Sequence, residues 1–291
     1  VIQAGVATGI FAAMDEGPAS AADLAGRLEL DADMTGKLLI VCAALDLVER
    51  VGDGWAFTDK GRTTLAPSSP LYQGNILSHA DHIGAFWHNL EPALRGERGA
   101  SAFKPDAERP WSQRDFIYGM HNMTMAGRGA ELARHVDLTG KRRLIDIGGG
   151  PGTYAIALCL TWPRLTADIF DLPETLALTR EVIDSFEVAD RVRTVEGSWD
   201  QDSYGEGYDA AILSNVMHGP SSKADHKLAT TFACLEPGGV VIVQDFLLNA
   251  EKTGPLRPAL FNMMIGAFSA AEMMGLIGEA GFVDIIHYPL E

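Results

Sequence analysis

Three glycines, Gly148, Gly150 and Gly152, stand in the run R-L-I-D-I-G-G-G-P-G-T over Arg143–Thr153. An apolar strand there meets residues that let the backbone turn sharply and approach a ligand where any Cβ would collide. The helix opening near Thr153 offers unpaired N–H groups to a negatively charged group. The next strand, starting at Thr166, ends in Asp171. A carboxylate in that place either takes both hydroxyls of a ribose or caps the helix ahead of Pro173 and Glu174. The loop reads G-x-G-x-G, not the G-x-G-x-x-G that aims amides at a pyrophosphate, and Pro151 removes one N–H. Fewer aimed amides suit an amino-acid carboxylate better than a dinucleotide. The implied ligand is a nucleoside-containing cofactor on a Rossmann-like half.

His218 lies in L-S-N-V-M-H-G-P, just beyond a fourth strand at Tyr208–Leu213. That is the carboxyl edge of the sheet, where open α/β sheets bind their ligands. An imidazole there is suited to accept a phenolic or enolic proton near neutrality, or else serves as an ordinary loop or capping histidine. A third segment, L-E-P-G-G-V-V-I-V-Q-D-F-L-L-N over Leu235–Asn249, reads as a helix end, a Gly-Gly turn and a buried strand closing in Asp245.

In this order the three segments resemble the class I S-adenosylmethionine-dependent methyltransferases. More narrowly, they are similar to the small-molecule O-methyltransferase family of plant phenolic, acetylserotonin and bacterial antibiotic-pathway enzymes, over nearly the whole chain. The resemblance implies methyl transfer from S-adenosylmethionine to a hydroxyl of a small aromatic or polyketide-like metabolite, leaving S-adenosylhomocysteine. It matches His218 to the catalytic base and Asp245 to the acid beside it. Asp146 would orient the loop or reach the methionine amine, its alternative being a cap on the following turn. Leu172 would pack on the adenine face, and Thr124 on the methionine carboxylate unless it is an ordinary helix-face residue. Ser198 stands where the family has an acid for the adenine amino group, with Trp199 placed to stack and Asp200 to compensate. Ser214 completes the cofactor set. Phe116, Met120, Met123, Asn215, Met217, Asn262 and Met263 would line the substrate pocket, or simply pack the core.

The chain also departs from the family. His218-Gly219-Pro220 replaces the usual His-Asp-Trp, and Ile265-Gly266-Ala267 is shorter than the Gly-rich loop of relatives, so no second flanking acid is evident. Relatives add an antiparallel strand after the one expected at Val283–Tyr288, whereas Glu291 comes first, which reads as a shortened protein or a trimmed sequence. The alternatives to O-methylation are a C-methyltransferase and a non-methylating relative of hydroxylase or decarboxylase type. A DNA-binding regulator and a nicotinamide-dependent dehydrogenase stand further off.

Composition bounds these readings. The 291 residues are 47% hydrophobic, enough for one large core or two moderate ones. No apolar run approaches the roughly 18 residues that span a bilayer, so no membrane partner is expected. Cys42, Cys159 and Cys234 lie far apart in apolar helical patterns and read as buried thiols of a cytoplasmic protein. The net charge of −16 argues against a nucleic-acid partner.

The elements that must position these residues follow. The fold class is α/β, a Rossmann-like domain over 137–291 preceded by a helical winged-helix module over 1–100 and linking helices with a pocket roof over 101–136. An amphipathic helix Ile2–Met14 ends at Gly17-Pro18. Ser20 and Asp23 form a capping box, and Asp33 caps the next helix. A hairpin turns at Gly52-Asp53-Gly54. The would-be groove-reading helix carries a single cation, Lys37. The resemblance instead makes this module the dimerisation domain of a homodimer, with Val6, Ile10 and Phe11 facing a partner or the internal core. Helix is expected over Leu71–Leu94 and Trp111–Val136, with an exposed loop over Gly96–Pro110. His79, His82 and His88 invite a metal, but nothing completes a ligand set, and a place in the pocket roof or the interface with Phe86 and Trp87 fits better. No metal is expected.

Overall fold

The computed structural model describes residues 1–88, 90–96 and 112–289, without the side chains of residues 81, 82, 85, 86 and 88. The expectations for His82, Phe86, His88, Trp111 and most of the Gly96–Pro110 loop therefore lie outside the described residues. The chain forms two compact units, Val1–Ala126 and Gly127–Glu291.

The first unit begins with α1 (Ile2–Ala7) and α2 (Ile10–Asp15), not one helix. Gly9 takes φ 77° between them, a left-handed turn that ends α1 and restarts the chain at a new angle. The box predicted at Ser20 and Asp23 caps α3 (Ala21–Leu28). The next helix, α4 (Ala32–Ala44), is capped by Asp31, which accepts from the Met34 N–H, and not by Asp33, which sits in the first turn. Both aspartates suit the role, and the chain takes the earlier. The hairpin β1 (Val48–Val51) and β2 (Gly54–Phe57) follows, with Trp55 bridging back to Ala19. Ile10, Phe11, Met14, Leu24, Leu39, Trp55 and Phe57 form this unit's core. Helices α5 (Asp59–Leu65), α6 (Gly74–His88), α7 (Leu90–Leu94) and α8 (Gln113–Met123) complete it. The expected helix over Trp111–Val136 is interrupted by a π-turn, Thr124–Arg128, because Gly127 at φ 122° leaves the helical region.

The second unit opens with α9 (Gly129–His135). Its strands are β3 (Arg143–Ile147), β4 (Thr166–Asp171), β5 (Val192–Glu196), β6 (Tyr208–Ser214) and β7 (Leu235–Gln244), all parallel in the order β5-β4-β3-β6-β7. The crossovers are α10 (Thr153–Thr161), α11 (Pro173–Ile183) and α12 (Ala224–Cys234), and α13 (Leu256–Met264) and α14 (Ala270–Glu279) follow the sheet. Strand order reverses between β3 and β6, so the loops after them flank the switch-point crevice of a doubly wound sheet. The buried strand expected within Leu235–Asn249 is β7, which already begins at Leu235; it is an edge strand with one ladder partner, and most of it is partly or fully exposed. The strand expected at Val283–Tyr288 is not formed. These residues pair with no ladder among the described residues, and Val283 and Ile286 are 81% and 70% exposed. No helix among the described residues is long and apolar enough to cross a membrane.

Candidate active site

Every strand of the sheet delivers a predicted residue at its carboxyl end: the glycine loop after β3, Asp171 on β4, Ser198 after β5, Ser214–His218 after β6 and Asp245 after β7. Gly148, Gly150 and Gly152 all have positive φ, between 54° and 73°. The Gly148 N–H donates to Phe170 O (2.8 Å), which pulls the loop over β4. A Cβ at Gly148 would collide with the Trp199 ring, and one at Gly152 with Ile169. Trp199 is therefore a wall of the cradle beneath Gly148.

Asp171 fixes the loop from its other side. Its Oδ2 accepts from the Gly150 N–H (2.8 Å) and its Oδ1 from the Leu172 N–H (2.7 Å). Burial raises its pKa against the pull of those two donors. Leu172 is 43% exposed at the start of α11, with its side chain open to a ligand.

Asp146 lies under the loop, 1% exposed, and among the described residues neither carboxylate oxygen has a hydrogen-bond partner of proper geometry. Burial, reinforced by the charge of Asp171, pushes its pKa up to about 7. The Ala155 backbone N–H only partly offsets that cost, so a further donor would stabilise this buried carboxylate. An amino-acid ammonium supplies such a donor, and the glycine cradle supplies the clearance. The residues present fit S-adenosylmethionine.

Ser198 and Asp200 fit the adenine end less directly. The Ser198 N–H donates to Asp202 (2.7 Å), and its hydroxyl accepts from the Asp200 N–H (3.4 Å). Ser214 Oγ donates to Gln244 (2.8 Å) and accepts from Asn215 Nδ2 (3.1 Å). In the first unit, Thr124 is buried and donates to Met120 O (2.9 Å), and Phe116 packs on buried His79 with ring centroids 5.1 Å apart. Phe116, Met120 and Met123 lie on or at the end of α8.

At the other side of the crevice, His218 Nδ1 lies 2.7 Å from Asp245 Oδ1. The Asp245 side chain is 3% exposed and also accepts from the N–H groups of Met217 (3.1 Å) and Phe246 (2.7 Å). A carboxylate held by three partners cannot swing, so it orients the imidazole through Nδ1. The Met217 side chain is 1% exposed and packs in the core, so only its backbone serves this site. Met263 is 47% exposed on α13, and Asn262 Oδ1 accepts from the Ala267 N–H (3.0 Å).

The two departures noted in the sequence meet here. Gly219 has φ 61° and ψ −177°, a conformation open almost only to glycine, and a Cβ there would come within 3.0 Å of the Gly266 backbone. The turn after α13 thus fills the space into which a side chain after His218 would project. Gly219→Asp is expected to lower the melting temperature and abolish turnover, as thermal melts and kinetics would record. An unperturbed melt would refute this packing.

The sequence reading missed Lys227. Its side chain is buried on α12, and Nζ donates to Val216 O (2.9 Å) and Ser222 O (2.7 Å), on either side of His218. The ammonium also lies 4.4 Å from the Trp199 ring centre. Burial lowers its pKa, while Asp200 and Asp245 oppose the shift. The signal was present: Ala224, Lys227, Leu228, Thr231 and Cys234 share one buried helical face. Lys227→Met keeps the bulk but strands two carbonyls, and is expected to destabilise the fold by about 1–3 kcal/mol. A denaturant midpoint equal to that of the parent would argue against this anchoring.

Phe246 and Phe261 were also missed. Their rings stack at 3.9 Å, and His218 lies 6.4 Å from Phe246 and 6.2 Å from Phe261. Two guanidinium carbons approach the same ring, Arg257 at 5.2 Å and Arg128 at 5.9 Å from its centre. Among the described residues, no three His, Cys, Asp or Glu side chains group as metal ligands.

Comparison with known proteins bears on this geometry. A family model described as an O-methyltransferase domain matches residues 87–283. The chain is 30% identical over 298 residues to 3-hydroxy-5-methyl-1-naphthoate 3-O-methyltransferase of Streptomyces sahachiroi, covering 98% of this chain and 86% of that one. It is equally identical, over 97% of its length and 86% of the other's, to the N,N-dimethyltransferase OxyT of Streptomyces rimosus. Among solved structures, PigF with S-adenosylhomocysteine superposes at TM-score 0.81 and 25% identity, over 97% of this chain and 89% of that one. Human N-acetylserotonin methyltransferase shares the fold at TM-score 0.81 and 24% identity, over 97% and 87%. The α/β methyltransferase fold, the matched domain and the relatives agree: the chain belongs to the O-methyltransferase family and is an S-adenosylmethionine-dependent enzyme.

Proposed function

We propose that the protein transfers a methyl group to a hydroxyl of a small aromatic or polyketide-like metabolite, with His218 as general base. The observation that carries this reading is the 2.7 Å contact between His218 Nδ1 and the buried, triply held Asp245. When bound, S-adenosylmethionine supplies a methyl already made electrophilic by its sulfonium. The enzyme's task is then to place the acceptor oxygen and remove its proton. Nε2 of His218 accepts that proton, and Asp245 stabilises the resulting imidazolium. Asp146 meets the amino group of the cofactor, Asp171 its ribose, and Leu172, Trp199 and Ser198 its adenine side. Relatives named for a naphthoate and for 3-amino-4-hydroxybenzoate support an aromatic acceptor. The test is mass spectrometry of the protein with S-adenosylmethionine and a panel of phenols. A gain of one CH₂ on oxygen supports the reading, and a product without that gain refutes it.

The first unit is read as a dimerisation module. Met34, Ile40 and Val41 on α4 and Leu45 at its C-cap are 41–61% exposed, beside an apolar groove of about 400 Å³ lined by Val1, Ala4, Ile10 and Leu38. Such a face favours a second copy over DNA, which needs cations. Light scattering at the mass of a single chain would reject the homodimer. The three free, buried cysteines suit a cytoplasmic enzyme.

A further inference from the structure

Among the described residues, Lys227 is the one lysine or arginine that is buried, 3% exposed on α12. Burying an ammonium is costly unless its donors are met. Here it meets Val216 O, Ser222 O and the face of the Trp199 ring. The two carbonyls belong to the loop after β6 that carries His218, one on each side of the histidine. That loop does not keep its shape by backbone preference. Asn215, Gly219 and Lys223 take φ of 55°, 61° and 54°, so the left-handed region recurs three times along it. The segment following the edge strand β7 and β7 itself hold it through Asp245, which accepts from the Met217 N–H (3.1 Å), and Gln244 O, which accepts from the Asn215 N–H (2.8 Å). Lys227 supplies further ties from α12.

The same ammonium reaches the glycine cradle. Trp199 and Val216 are the side chains that a Cβ at Gly148 would strike, so both pack against the loop. Lys223 Nζ adds a second tie between the two segments, 3.5 Å from Asp200 Oδ1 beside Trp199. The cradle has anchors of its own in Phe170 O and Asp171, whereas the His218 backbone is set against it by Lys227. We propose that Lys227 is a positioning residue for methyl transfer, holding the His218 loop in register with the cradle so that the base reaches the acceptor at the methyl donor. This rests on the proposed base role of His218 and deepens it. Support of the fold alone, wherever His218 stands, is the competing account of the same contacts.

The experiment is a double-mutant cycle on the full chain, run below the melting temperature of every variant. Lys227→Met, His218→Ala and the pair are assayed with S-adenosylmethionine and a panel of phenols that includes 3-amino-4-hydroxybenzoate, with product resolved by mass. Alone, Lys227→Met is expected to lower kcat about 10- to 100-fold and to leave KM for S-adenosylmethionine nearly unchanged. Added to His218→Ala, it should change kcat by less than about twofold, because no base is left to misplace. Lys227→Arg keeps the charge and should recover part of the rate. Lys227→Gln keeps one donor group and carries the cycle if the methionine variant does not melt cooperatively. Parent turnover by the methionine variant, an equal loss in both backgrounds, or a loss confined to calorimetric affinity for S-adenosylhomocysteine overturns the positioning role and leaves His218 as the base. Parent turnover by His218→Ala, or no methylated phenol from the parent, overturns the base reading and this inference with it.

Discussion

His218→Ala lowers the rate of methyl transfer by about 10²–10⁴-fold, the range expected when a positioned base is removed. The loss should fall on kcat, since the cofactor contacts proposed for the glycine loop, Asp146 and Asp171 lie away from the His218–Asp245 pair. Calorimetric titration should accordingly give the variant a dissociation constant for S-adenosylhomocysteine close to that of the parent. Asp245→Asn tests the same arrangement from behind. An amide in place of the carboxylate can present its oxygen to Nδ1–H, but it no longer balances an imidazolium, so its loss of rate should be smaller than that of His218→Ala. An alanine variant that turns over at the parent rate would remove His218 from the mechanism and leave proximity as the principal source of catalysis.

Asp146→Asn should weaken S-adenosylmethionine binding about 10- to 100-fold, by exchanging a charge-assisted contact for a neutral one. The same change should stabilise the free protein at pH 8. The sign follows from proton linkage. A carboxyl of ordinary pKa near 4 in the unfolded chain is held at about 7 when folded, so the folded state binds its proton more tightly. Stability is then lost as pH rises through that interval, and above it the free protein carries a buried carboxylate that burial and the nearby Asp171 disfavour. Asparagine removes the slope. Melting curves at pH 5.5 and pH 8, with and without S-adenosylmethionine, would display the exchange of affinity for stability. If Asp146→Asn melts lower than the parent at both pH values, the carboxylate is a structural support and not a receiver for the ligand.

Much of this site could be read in the chain because its parts are local. A strand, a glycine turn and an acid at the next strand end occupy consecutive segments, and their spacing alone places them along one sheet edge. The capping box at Ser20 was legible for the same reason, since its bonds span three residues. What escaped the sequence depends on distant neighbours. The break at Gly9 needs a left-handed turn that a glycine permits but does not require. The exposure of β7 depends on which strands exist to cover it, and Val283–Tyr288 carries a strand-like pattern with no ladder to join. Arg128 and Arg257, 129 positions apart in number, are brought to one ring, that of Phe246, only by the fold. Lys227 was overlooked because a lysine is read as solvent-facing, although its helical phase set it among buried residues.

The close approach of Gly219 to Gly266 makes those two positions epistatic. A side chain at position 219 cannot be added singly, because it needs room that only a rebuilt turn at Gly266 would create. Engineering toward a second acid beside the base must therefore cross a valley of poorly folded single variants, or take both steps at once.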